Sequence, residues 1–186
     1  MLCRNDRRPA SPSQLQRVRT PGISVKRPDL TLEDLKATLP ATGALLGLDL
    51  GTKTIGLALS DLRRTIASPL AVIRRTKFQA DLVALRTFVE AHRVVGLVLG
   101  LPVNMDGSEG TRAQATRGFA RNIAPLIPLP LVFWDERLST AAVTRTLIEA
   151  DTSRKRRGEV VDKMAAAYIL QGVLDRMARL PPPPLT

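Results

Sequence analysis

Apolar residues along this chain fall into short dense runs separated by polar links, and the spacing changes partway. Leu45 to Leu50, Thr54 to Ser60 and Ser68 to Arg74 are three successive β-rich segments. A Gly51-Thr52-Lys53 turn and a polar Asp61 to Thr65 link join them, so the pattern predicts an antiparallel meander. From Lys77 to His92 the period becomes helical, with Phe78, Leu82, Leu85, Phe88 and Val89 on one face. Val94 to Gly100 is then a continuous apolar run directly after a helix, which predicts a strand covered on both faces and reached by a parallel crossover. After a loop from Leu101 to Gly110 come a second helix over 111–124 and a fifth strand from Leu129 to Trp134. Ser139 is suited to cap a helix ending near Ala150. A polar, basic link from Asp151 to Gly158 leads to a last helix, Glu159 to Leu180, halted by Pro181 to Pro184. The predicted order is βββαβαβαα: an α/β protein with a five-stranded mixed sheet flanked by helices.

The flanks read differently. Residues 1–27 hold seven basic side chains, one acid and prolines at 9, 12 and 21, with no hydrophobic periodicity. This composition predicts a disordered basic arm, or a start site placed too far upstream. Residues 28–43 read as a linker with one short helix, from Thr31 through Glu33 and Asp34 to Leu39, ending before Pro40. The main domain is expected over 44–180, followed by a Pro-rich tail at 181–186.

With 186 residues, 44% of them hydrophobic, the chain has material for one good core and not for two comparable lobes. The formal charge of +11 favours a polyanionic partner. The arm contributes +6 of it and leaves the folded part at +5, still basic. A single cysteine, Cys3, permits no intramolecular disulfide, which fits a cytoplasmic setting. The longest apolar stretch, Val94 to Val103, falls well short of the ~20 residues a spanning helix needs, so no membrane association is expected.

Ligands of α/β sheets collect beyond the carboxyl ends of strands. Asp49, inside a hydrophobic strand between Leu48 and Leu50, is costly to desolvate unless paired or bound to metal. A turn-capping role before Gly51 is the alternative. Glu136 ends another strand, where it could instead pair with Arg137. Asp162 precedes a helical turn of Ala165, Ala166 and Ala167, and could pair with Lys163 or Arg157. Together the three acids are hard oxygen donors on three elements, suited to Mg²⁺ or Mn²⁺ rather than zinc. Two such ions about 4 Å apart can serve phosphodiester hydrolysis. The only imidazole, His92, ends a helix, where capping is its expected role. The Asp49 to Thr52 segment is also like the phosphate turn of two-lobed actin-like ATPases, for which this chain is too short.

Four segments in order carry a more specific likeness: Gly47-Leu48-Asp49-Leu50-Gly51-Thr52-Lys53-Thr54-Ile55-Gly56, then Gly96 to Gly107, then Trp134-Asp135-Glu136-Arg137-Leu138-Ser139-Thr140, and Val161-Asp162-Lys163-Met164-Ala165-Ala166. Over about residues 44–180 the chain resembles the YqgF/RuvX family of pre-16S rRNA nucleases and Holliday-junction-resolvase-like proteins. The resemblance implies a ribonuclease H-like fold, metal-dependent hydrolysis of nucleic acid, and trimming of the 5′ end of the small-subunit rRNA precursor. It implies Asp49, Glu136 and Asp162 as the acidic triad holding two Mg²⁺ or Mn²⁺ ions. It also offers Lys53, Asn104 and Arg137 as substrate contacts, with helix-capping or loop-bracing as the competing roles. Branched DNA as substrate, and a non-catalytic RNA-binding assembly factor, stay open as alternatives. So does the choice between monomer and homodimer, because a twofold junction favours a symmetric dimer and a single RNA strand does not.

Overall fold

The computed structural model describes residues 30–138 and 154–181. The basic arm, most of the tail and the helix expected from Ser139 to Ala150 lie outside these residues. The elements are α1 (Leu32–Thr38), β1 (Ala44–Leu50), β2 (Thr54–Ser60), β3 (Ala67–Arg74), α2 (Phe78–Ala91), β4 (Val94–Leu101), α3 (Thr111–Ile123), β5 (Leu131–Asp135), a 3₁₀ turn (Glu136–Leu138) and α4 (Arg154–Arg179).

The strands order as β3-β2-β1-β4-β5. β1 pairs antiparallel with β2 and parallel with β4, while β2 with β3 is antiparallel and β4 with β5 parallel. The meander and the crossover strand are therefore both present, and they share β1. All seven residues of β1 are buried, as a central strand covered on both faces requires.

Successive strand side chains alternate between faces. Leu46, Leu48 and Leu50 join Leu82, Leu85, Phe119 and Ile123 in the core under α2 and α3. Leu45 points the other way, into a second core with Ala166, Ile169, Leu170 and Val173 of α4 and Leu35 of α1. Asp49, in phase with Leu45 and Gly47, accordingly faces α4.

Two boundaries differ from the sequence expectation by more than one residue. β5 starts at Leu131 rather than Leu129, because Pro130 has no N–H to give a ladder; only its carbonyl is used, accepting from Leu97 N at 2.8 Å. α4 begins at Arg154, so the expected link through Gly158 is helical from its fourth residue onward. Arg and Lys are good helix formers, and one glycine costs a helix only about 1 kcal/mol relative to alanine.

α1, in the stretch read as a linker, is docked on α4. Thr31 and Asp34 form a reciprocal capping box at its start. Lys36 Nζ donates to the carbonyls of Met177 (3.0 Å) and Leu180 (2.7 Å), satisfying the end of α4. On the opposite face, Asp81 near the start of α2 is only 5% exposed and accepts from Thr76 N at 3.0 Å. Arg75 lies beside it, Nε to Oδ2 3.9 Å, and also donates from Nη1 to the Gly51 carbonyl at 2.6 Å. Asp81 thus helps hold the arginine that braces the β1–β2 turn. Asp81→Ala is expected to cost about 1–3 kcal/mol in urea unfolding, since it removes the charged acceptor of a part-buried hydrogen bond and the acid beside Arg75.

Candidate active site at the carboxyl end of β1

Asp49 is one residue from the end of β1 and 6% exposed. Its cross-strand partner on β2 is Gly56. A Cβ at Gly56 would strike the main-chain carbonyl oxygen of Asp162, so the missing side chain is what lets α4 lie directly on β2. Gly47 has the same function two residues earlier on β1: an added Cβ would stand 2.8 Å from Leu170 Cβ and 3.0 Å from the Ala166 oxygen. These two glycines seat α4 so that Asp162 comes down beside the strand pair carrying Asp49. The carboxylate of Asp162 is then tied to the sheet, with Thr54 Oγ1 donating to its Oδ2 at 2.7 Å.

Glu136 arrives from the other side. β1 and β5 are not neighbours, because β4 runs between them. Leu48 pairs with Leu99, which puts Gly100 of β4 beside Asp49. Glu136 leaves the end of β5 in the 3₁₀ turn and lays its carboxylate over Gly100, with Oε1 2.8 Å from where a Cβ would be. The three acids therefore stand in a row across β2, β1 and β4 on the α4 face, with glycines on either side of Asp49 making the room. Among the described residues, no three or more His, Cys, Asp and Glu side chains are close enough together to hold a metal ion. The donor chemistry of the row, carboxylate oxygen throughout, fits Mg²⁺ or Mn²⁺. His92 is the C-cap residue of α2, stacked on Phe88, and stands apart from the row.

The other three expected site residues lie around this row. Lys53 is exposed in the β1–β2 turn, its carbonyl accepting from Arg75 N at 2.9 Å. Asn104 and Arg137 both line a cleft of about 570 Å³ that also takes in Pro102, Met105, Arg112 and Glu136. Within it Arg137 is a brace. Its Nη2 donates to Asp135 Oδ2 at 2.6 Å, and its Nη1 reaches the Asn104 and Met105 carbonyls at 3.2 and 3.4 Å. Hydrogen bonding from Arg137 holds the Asp135 carboxyl below its ordinary range, and the same bond raises the arginine. Asn104 Nδ2 donates to Ser108 Oγ at 2.9 Å. That hydroxyl in turn donates to Asp106, the chief reason its carboxyl is lowered. The loop after β4 is therefore preset in shape and pinned to the end of β5.

Sequence reasoning did not single out Thr54, Arg75 or Gly100. Gly100 left a signal, a glycine closing a strand otherwise built of Val and Leu, but its use depends on which strand lies beside it.

Three antiparallel strands continued by two parallel ones, with helices on both faces and acids at the carboxyl end of the central strand, define a ribonuclease H-like fold. The chain belongs to the RuvX family, whose model, described as "RuvX: Holliday junction resolvase", matches residues 43–176. A relative from Cereibacter sphaeroides named "Putative pre-16S rRNA nuclease" is 64% identical over 146 residues, 78% of this chain and 91% of that protein. One of the same name from Paracoccus denitrificans is 66% identical over 146 residues, 78% and 92% of the two chains. Among solved structures, T. thermophilus RuvC in complex with Holliday junction substrate aligns at 12% identity and a TM-score of 0.49, covering 75% of this chain and 99% of that one. The strand order, not this superposition, defines the fold.

Proposed function

We propose that this protein is a divalent-metal-dependent nuclease that hydrolyses phosphodiester bonds, its substrate being the precursor of 16S rRNA, trimmed at its 5′ end in the cytoplasm. The observation that carries the reading is the row of Asp162, Asp49 and Glu136 across three adjacent strands, with glycines holding space between them. Carboxylate oxygens gathered at one end of a sheet are the hard donors that Mg²⁺ or Mn²⁺ takes. The names of close relatives supply the RNA.

Asp49, central in the row, would hold divalent cations, Mg²⁺ or Mn²⁺, together with Glu136 and Asp162, which flank it. Divalent cations bound there would supply an activated water and positive charge to steady the departing oxygen. The water's oxygen ends on phosphorus and the P–O3′ bond breaks, leaving a 5′-phosphate and a 3′-hydroxyl. The cleft beside Glu136 admits a nucleic-acid strand, with Arg112 exposed on its wall and Lys53 exposed at the neighbouring turn. Arg137 and Asn104 serve that strand by fixing the loop that walls the cleft, whatever direct contact they make.

The run Arg154, Lys155, Arg156 and Arg157 opens α4 about two turns ahead of Asp162. Neutralising all four is expected to raise the apparent Kd for RNA and to lower the slope of log K against log salt by up to about 3–4. An unchanged slope in a filter-binding titration would assign the run to solvated surface.

The family model's description favours a second reading, resolution of branched DNA. Fold and acids are common to both, since substrate choice lies in the surrounding surface. The deciding experiment incubates the protein with Mg²⁺ or Mn²⁺ and, in parallel, a pre-16S rRNA fragment and a synthetic four-way junction, with its mass measured in solution. Cutting of the RNA alone is expected. Symmetric cutting of the junction alone, by a dimer, would replace the RNA reading. Binding of RNA without cleavage of either would make the protein an assembly factor.

A further inference from the structure

We propose that Thr54 is a positioning residue for the metal site: its hydroxyl fixes the carboxylate plane of Asp162 and thereby sets the affinity for the divalent cation that Asp162 holds. This rests on the metal-dependent reading above and assigns a role to a residue outside the acidic row.

The geometry is specific. Thr54 opens β2, two residues before Gly56, so the two share a strand face. That face carries Asp162, whose main chain lies against Gly56. The 2.7 Å bond from Thr54 Oγ1 to Asp162 Oδ2 is partly buried and spans 108 residues of sequence, joining the last helix to the first hairpin. Thr54 is itself anchored, because its carbonyl accepts from Gly51 N at 2.9 Å and Gly51 is held in turn by Arg75. A carboxylate with one oxygen taken by a fixed donor presents its other oxygen in a set plane, whereas an untethered one must give up rotational freedom when it binds. Residues that orient a ligating carboxylate in this way typically alter metal affinity by 10–100-fold when removed.

The test compares wild type, Thr54→Val, Thr54→Ser and Asp49→Asn in Mn²⁺ titrations followed by calorimetry, with RNA cleavage measured over the same Mn²⁺ range. Val keeps the branched shape suited to a strand and removes the hydroxyl; Ser keeps the hydroxyl. Thr54→Val is expected to weaken Mn²⁺ binding by about tenfold and to raise the Mn²⁺ concentration needed for half-maximal cleavage by about the same factor. Thr54→Ser should bind nearly as wild type does. If Thr54→Val binds Mn²⁺ with wild-type affinity, or if Ser fails to restore an affinity that Val has lost, the proposal is overturned and the metal site stands. If wild type itself shows no Mn²⁺ binding that Asp49→Asn abolishes, the metal site falls and this inference with it.

Discussion

Replacement of Asp49 by Asn is expected to lower RNA cleavage by roughly three or more orders of magnitude, corresponding to loss of at least about 4 kcal/mol of transition-state stabilisation. Asn matches the shape of Asp but lacks its charge, and the carboxylate it replaces is the middle one of the row, 6% exposed between Gly56 and Gly100. In the proposed site that charge is what would hold two cations close together. Binding of RNA should persist, because affinity for nucleic acid resides mainly in phosphate contacts to the basic surface. Glu136→Gln and Asp162→Asn should behave alike, and double substitutions should add little to the singles, as groups acting as one unit do. Single-turnover cleavage across a Mg²⁺ titration, with circular dichroism to confirm folding, reads this directly. Cleavage by Asp49→Asn at near wild-type rate would remove the acid row from the chemistry.

Gly56→Ala should be the most damaging substitution that leaves every polar group in place. Its methyl group would meet the Asp162 carbonyl oxygen, a main-chain atom within a helix that cannot yield locally. α4 must instead lift from β2, and its core residues Ala166, Ile169, Leu170 and Val173 are all buried on this sheet. Overpacking of this kind typically costs up to about 3 kcal/mol, and here it also moves Asp162 away from Asp49, so cleavage should be lost even in molecules that fold. Gly118→Ala is the control. It lies within α3, where the nearest atom to a new Cβ is Arg121 Nη2 at 4.0 Å, and removing a helical glycine should stabilise by up to about 1 kcal/mol. Urea unfolding of the two variants should move in opposite directions. A Gly56→Ala protein as stable and active as wild type would mean that α4 is not seated as described.

The contrast between these glycines bears on what could be read from the chain. Hydrophobic runs were enough to locate all five strands, and an apolar run following a helix was enough to infer that β4 is parallel. The face on which Asp49 lies was hidden, because every neighbour in β1 is apolar and alternation leaves no trace in a strand buried on both sides. The placement of Glu136 was hidden too. It depends on β4 lying between β1 and β5 and on Gly100 having no side chain, and both follow from sheet order rather than local pattern. Arg137 could be seen as a cation beside Glu136, but its pairing with Asp135 depends on the 3₁₀ turn that brings residues two apart together. The start of α4 was misplaced because a run of charges resembles a link in composition, although Arg and Lys suit a helix well. Thr54 and Arg75 became visible only once separate segments were in contact.

The most direct measurement is anomalous diffraction from crystals grown or soaked with Mn²⁺. Two peaks about 4 Å apart are expected on the α4 face at the carboxyl end of β1, both within coordination distance of Asp49, one shared with Glu136 and the other with Asp162. Saturating Mn²⁺ that leaves no peak among these three acids, in a protein that still cuts RNA in solution, would contradict the assignment.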